Sequence, residues 1–119
     1  MKINNLKFYF FIIFSLNLYS VEFLKIEDGF KIEIFVNNID TPRQITESDA
    51  GNIFVGSRNA GTISVIDANK NIRVIARGLS NSTGVTYHDG DLYFSEVNSI
   101  WKIPNIDEAL LSSEQIPGK

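Results

Sequence analysis

Gly51-Asn52-Ile53-Phe54-Val55-Gly56-Ser57 and Gly90-Asp91-Leu92-Tyr93-Phe94-Ser95-Glu96 are two versions of one phrase, set 39 residues apart. Each opens on a glycine and a polar residue and then runs into a short apolar stretch, which places a strand leaving a tight turn. The likeness extends in both directions. Upstream, Ile45-Thr46 lies over Val85-Thr86 at an offset of 40; downstream, Ile63-Ser64-Val65-Ile66 lies over Ile100-Trp101-Lys102-Ile103 at an offset of 37.

Working outward, strands are expected at 42–48, 52–58, 62–67 and 72–77 in one unit. In the next they are expected at 85–87, 91–96 and 99–103, and the alternating run Phe30-Lys31-Ile32-Glu33-Ile34-Phe35 supplies an incoming strand. Asp49-Ala50-Gly51 and Asp89-Gly90 are residues that tolerate positive φ, as reversals between antiparallel strands demand. A helical period is expected only at Ile106–Leu111, where Asp107 and Glu108 sit at a helix start. A period near 40 built from short strands and glycine turns is that of a four-stranded blade, so the fold class expected is all-β, a β-propeller fragment of about two blades. The first blade spans about 42–77, the second about 82–103, and 104–119 is a linker. Two blades leave sheet faces uncovered, and the stop at Pro117-Gly118-Lys119 directly after a linker reads as truncation of a longer ring, oligomerisation of the chain being the alternative. The competing reading of the repeat is a small two-sheet sandwich.

Residues 1–20 have a different character. Lys2 and Lys7 precede a nearly continuous apolar run from Phe8 to Leu18, the make-up of a signal peptide cut after Ser20. The run is about a dozen residues, short of the roughly 20 that cross a bilayer. An exported, periplasmic or secreted protein with no permanent membrane span is therefore expected; an N-terminal anchor is the other reading. The chain of 119 residues carries a net charge of −3, and without residues 1–20 nine basic side chains face 14 acidic ones. The arginines are scattered along the sequence, so no basic face for nucleic acid is expected. With no cysteine and a single histidine, thiolate zinc and multi-histidine metal sites are excluded from this chain.

The run Asp28-Gly29-Phe30-Lys31-Ile32-Glu33-Ile34-Phe35, followed by Pro42-Arg43-Gln44, Phe54-Val55-Gly56-Ser57-Arg58, Gly78-Leu79, Gly84-Val85 and Gly90-Asp91-Leu92-Tyr93, resembles the opening of the soluble glucose and sorbosone dehydrogenase family. The resemblance covers residues 26–119 and lies in the ordered series, since no one motif is specific. It implies an exported six-bladed propeller carrying pyrroloquinoline quinone (PQQ) and calcium. It also implies that a sugar or related alcohol or aldehyde is oxidised, with the quinone taking up a hydride equivalent. The family's catalytic histidine would fall a few residues beyond Lys119, and its quinone contacts and calcium ligands later still. On that footing no catalytic residue or metal ligand is assigned here, and this chain alone is expected to be inactive and to bind no cofactor. Ser82-Thr83-Gly84 stands where many members have proline-asparagine before the glycine. A glutamine of the glucose-oxidising branch has no counterpart near it, which argues against glucose itself.

Three residues are candidates for facing a bound anion, sugar or cofactor: Arg43, near the start of an inner strand; Arg58, at the end of its returning partner; and Glu96, taken as the matching position in the second blade. Recognition residues collect on the loops of a rigid scaffold; inter-blade ion pairing is the structural alternative. His88, beside Asp89-Gly90, is expected to cap a turn or face solvent, and Asp89 and Asp91 to be a turn acid and a strand-edge charge. Phe94 and Trp101 are expected to pack between blades. Because one fold hosts many chemistries, a lactonase-like hydrolase or a binding and interaction module are the alternatives to a dehydrogenase.

Overall fold

The computed structural model describes residues 24–112. The expected signal peptide at 1–20 and the end of the linker, 113–119, lie outside them. The chain divides into two units at Glu33/Ile34. Of the first, residues 24–33 are described; Phe30 N–H donates to the Glu27 carbonyl at 3.3 Å across a turn at Asp28-Gly29, and Lys31 and Glu33 pair at 2.7 Å.

The second unit holds two antiparallel sheets. β1 (Pro42–Glu47), β2 (Ile53–Ser57), β3 (Thr62–Ile66) and β4 (Ile72–Ala76) follow one another in a four-stranded meander. β5 (Val85–His88), β6 (Asp91–Ser95) and β7 (Ile100–Ile103) form a three-stranded one, and α1 (Ile106–Leu111) follows. These are two blades of a β-propeller fragment, the second with three strands among the described residues. No helix among them is long and apolar enough to cross a membrane.

The three sequence offsets are borne out as register. Ile45 pairs with Val55 and Val85 with Phe94; Phe54 with Val65 and Tyr93 with Lys102; Gly56 with Ile63 and Ser95 with Ile100. The turns account for the drift of the offset. Three residues, Asp49 to Gly51, join β1 to β2 inside the Ser48 N–H to Asn52 carbonyl bond, with Gly51 at φ +81°. In the second blade only Asp89 and Gly90, both at positive φ, do that work. The two-residue hairpin needs a left-handed conformation at both positions, which aspartate-glycine supplies. One residue fewer turns 40 into 39. The four-residue loop 58–61 is replaced by Val97-Asn98 within a Glu96 N–H to Ser99 carbonyl bond of 2.8 Å, and two fewer turn 39 into 37.

The core lies between the sheets. Phe54, Ile63 and Val65 of the first face Val85, Leu92 and Phe94 of the second, closed at one end by Leu79 and at the other by Ile106. Phe94, expected between blades, is there. The inner strands β1 and β5 run side by side without sharing a ladder. Instead Val85 N–H donates to Gln44 Oε1 and Tyr87 N–H to Thr46 Oγ1, both at 3.1 Å, so side chains of β1 satisfy the free edge of β5. At the opposite end α1 is tied down through Asp107, whose carboxylate accepts from Ser48 Oγ at 2.7 Å, Asn52 Nδ2 at 2.8 Å and Ala50 N–H at 3.3 Å. The acid at the helix start therefore works mainly as a strap across blades.

Two expectations are corrected. Residues 30–35 form no strand; Phe30, Ile32, Ile34 and Phe35 are exposed. Alternation marks which side chains share a face, but a strand also needs a ladder partner. Trp101 is on β7 as expected but is 39% exposed, and its indole N–H goes to Glu96 rather than into the inter-blade core.

Candidate functional site

Strand direction brings one set of ends together: the start of β1, the end of β2, the end of β4, the start of β5 and the end of β6. Pro42 pairs with Ser57, and the register slips between Pro42 and Gln44, so Arg43 is the bulged residue and Arg58 follows directly on its partner strand. Both arginines are exposed at this rim. The backbone thus places the two at one rim.

Glu96 is at the same end, but its position in the repeat needs correction. The register makes it the counterpart of Ser57, and the exposed Val97 the counterpart of Arg58. Like Ser57, Glu96 is buried. Its Oε1 accepts from Ser80 N–H at 2.7 Å and its Oε2 from Trp101 Nε1 at 2.8 Å, while Val97 N–H returns a bond to the Ser80 carbonyl at 3.2 Å. The carboxylate clamps the loop 77–84, which carries the chain from one blade to the next, onto the β6–β7 hairpin. That bond pattern was not legible in the sequence, because Ser80 lies 16 residues away and contributes only backbone. Ser57 at the end of β2 and Ser82 on this loop have buried hydroxyls without a hydrogen-bond partner among the described residues.

The other end is acidic. His88 ends β5 with Nε2 3.2 Å from the Asp89 carboxylate, both side chains well exposed. Asp91 Oδ2 accepts from Lys102 Nζ at 2.9 Å and Oδ1 from Asn105 N–H at 3.0 Å; chiefly the lysine, then that amide, hold the carboxyl below the usual range. Asp67 is likewise lowered, chiefly by Asn71, whose side chain and backbone N–H both donate to it. A carboxyl lowered in the folded chain stabilises above its unfolded pKa, near 4, and loses that contribution as pH falls through the folded value. Asp91→Asn is therefore expected to melt below the parent at pH 6 and to converge with it near pH 2. A gap constant across that range would mean the charge on Asp91 contributes nothing.

Among the described residues no three carboxylate or imidazole side chains converge on a point where a metal ion would fit. Both Glu96 oxygens are engaged, and the two rim arginines are exposed. The described residues thus bring together no ligand set for calcium.

What the geometry defines is a pair of propeller blades. No family model matches the chain. An uncharacterized protein of Borreliella burgdorferi is 41% identical over 91 residues, which are 76% of this chain and 24% of that protein. The chain thus spans about a quarter of the length of the curated relative it matches. Among solved structures, PQQ-bound aldose sugar dehydrogenase from Streptomyces coelicolor is similar over 55% of this chain and 24% of that one, at 19% identity and a TM-score of 0.44, too loose a likeness to carry an argument.

Proposed function

We propose that this polypeptide supplies the first two blades of an exported, six-bladed, quinone-dependent sugar or sorbosone dehydrogenase-like oxidoreductase. The observation that supports the multi-blade part is the pair-for-pair repetition of register between the sheets, which is how a propeller is assembled. The redox part rests on the ordered resemblance from Asp28 to Tyr93. As the resemblance implies, the groups that hold PQQ and calcium belong to later blades, and these two serve as scaffold and rim. The substrate class is a sugar or a related alcohol or aldehyde.

The test is to produce the complete reading frame containing this chain, load it with PQQ and calcium, and follow reduction of an artificial dye. Sugar-dependent dye reduction by the complete protein, absent from residues 21–119 alone, is expected. A loaded protein that reduces no dye with aldoses, alditols or sorbosone but opens a lactone would replace this reading with the hydrolase.

A further inference from the structure

Three of the chain's four arginines stand at one end of the first sheet, and the fourth stands at the other. Arg43 is the bulged residue near the start of β1, Arg58 follows β2 and Arg77 follows β4; Arg73, near the start of β4, belongs to the opposite end. All three rim arginines are exposed, and among the described residues none has an ion pair or a side-chain hydrogen bond. A blade does not itself call for them. The repeat carries Arg43 to Thr83 and Arg58 to Val97, and the second sheet forms with those residues instead. The acids gather elsewhere: Asp49, Asp67, Asp89, Asp91 and Asp107 lie toward the opposite end, while at this end Asp40 precedes β1 and Glu96 has both oxygens engaged.

We propose that Arg43, Arg58 and Arg77 form a site for an anionic group, a carboxylate or a phosphate, on the sugar that the protein binds. Guanidinium presents a planar fork of N–H donors that matches the paired oxygens of either group. Neighbouring strands are about 4.8 Å apart, which puts the ends of β1 and β4 about 14 Å from each other with Arg58 between them. A ligand over the ends of β2 and β3 is therefore open to all three long side chains. The bulge releases Arg43 from the alternation of β1, the kind of local kink that re-aims a side chain. The platform beneath is braced. Gly61 N–H donates to the Ser57 carbonyl and Leu79 N–H to the Gly61 carbonyl, both at 3.0 Å, tying the loop after Arg58 to the segment after Arg77. With carboxylates gathered at the far end, the field along the sheet favours an anion at the rim.

The sugar in this inference rests on the proposed dehydrogenase function; the anionic group rests on the rim. The test is binding, which needs no turnover. Titration calorimetry on the protein made from the complete reading frame compares glucose, glucuronate and glucose 6-phosphate. At least one of the two anionic sugars should bind about tenfold or more tighter than glucose, and which one does so separates carboxylate from phosphate. Arg58→Gln and Arg77→Gln should each weaken that ligand by about tenfold, the usual scale of a charge-assisted hydrogen bond, and leave glucose unchanged. Arg73→Gln removes the same charge from an exposed position at the other end and should change binding by less than about twofold. Absence of any preference for the anionic sugars overturns the proposal, as does equal weakening by Arg73→Gln. So does a loss of PQQ affinity in Arg58→Gln with anionic-sugar binding intact, which would give the rim to the cofactor. Rim-dependent binding of an anionic sugar by a protein that reduces no dye leaves the site standing and removes only the redox reading. Dye reduction with neutral aldoses and no preference for anionic ones does the reverse.

Discussion

Phe54→Ala should cost about 4 kcal/mol, in the range found when a large aromatic is removed from a packed core. The ring is fully buried, pairs across the sheet with Val65, and fills the space between the two blades together with Ile63, Leu92 and Phe94. Neighbouring strands are pinned on both sides by their ladders, so the void cannot collapse. Its repeat counterpart is the control: Tyr93 sits at the same register position on a half-exposed face, and Tyr93→Ala should cost roughly 1 kcal/mol or less, as partly exposed contacts do. Urea unfolding of both variants at neutral pH measures the difference. Small domains have about 5–15 kcal/mol in total, so the Phe54 variant should be close to unfolding while the Tyr93 variant is not. Equal losses would mean that the two faces are equally covered.

That asymmetry marks the limit of what the sequence could reveal. Strands, turns and register were legible because each is encoded within a few residues: period-two alternation sets the face, and Asp49-Ala50-Gly51 or Asp89-Gly90 sets the reversal. Even the change of offset from 40 to 39 to 37 has a local cause in two shortened turns. Phe30–Phe35 shows the opposite case, since its alternation is more regular than that of β2, Ile-Phe-Val-Gly-Ser, yet a ladder partner is a property of distant sequence. The candidate site divides along the same line. Arg43 and Arg58 share one rim because a hairpin carries β1 back as β2, whereas the partners of Glu96, Ser80 and Trp101, follow from how a loop crosses from one blade to the next. In sequence Asp107 is only a helix-start charge, because its partners, Ser48 and Asn52, lie 59 and 55 residues back in the chain.

Gly61→Ala should cost about 3 kcal/mol, for two reasons that add at one atom. Gly61 sits at φ +60°, where an L-residue is penalised by roughly 1–2 kcal/mol. A Cβ there would also run into the Leu79 carbonyl, a backbone atom that cannot swing aside. Leu79 is held in place from two directions: its N–H donates to the Gly61 carbonyl at 3.0 Å, and its side chain is buried at the edge of the inter-blade core. Relief of the clash must therefore lengthen that bond or lift the side chain, and with it the loop that joins the blades. Gly78, on the same loop at φ +73° with open space where a Cβ would go, separates the two contributions. Gly78→Ala should pay the backbone penalty alone, about 1 kcal/mol. Thermal or urea unfolding of the pair gives the contact contribution by difference, about 2 kcal/mol if the crossing is as rigid as its bonds imply. If the two alanine variants proved equally stable, the loop would be shown to yield freely, and the close approach at Gly61 would have no part in holding one blade against the next.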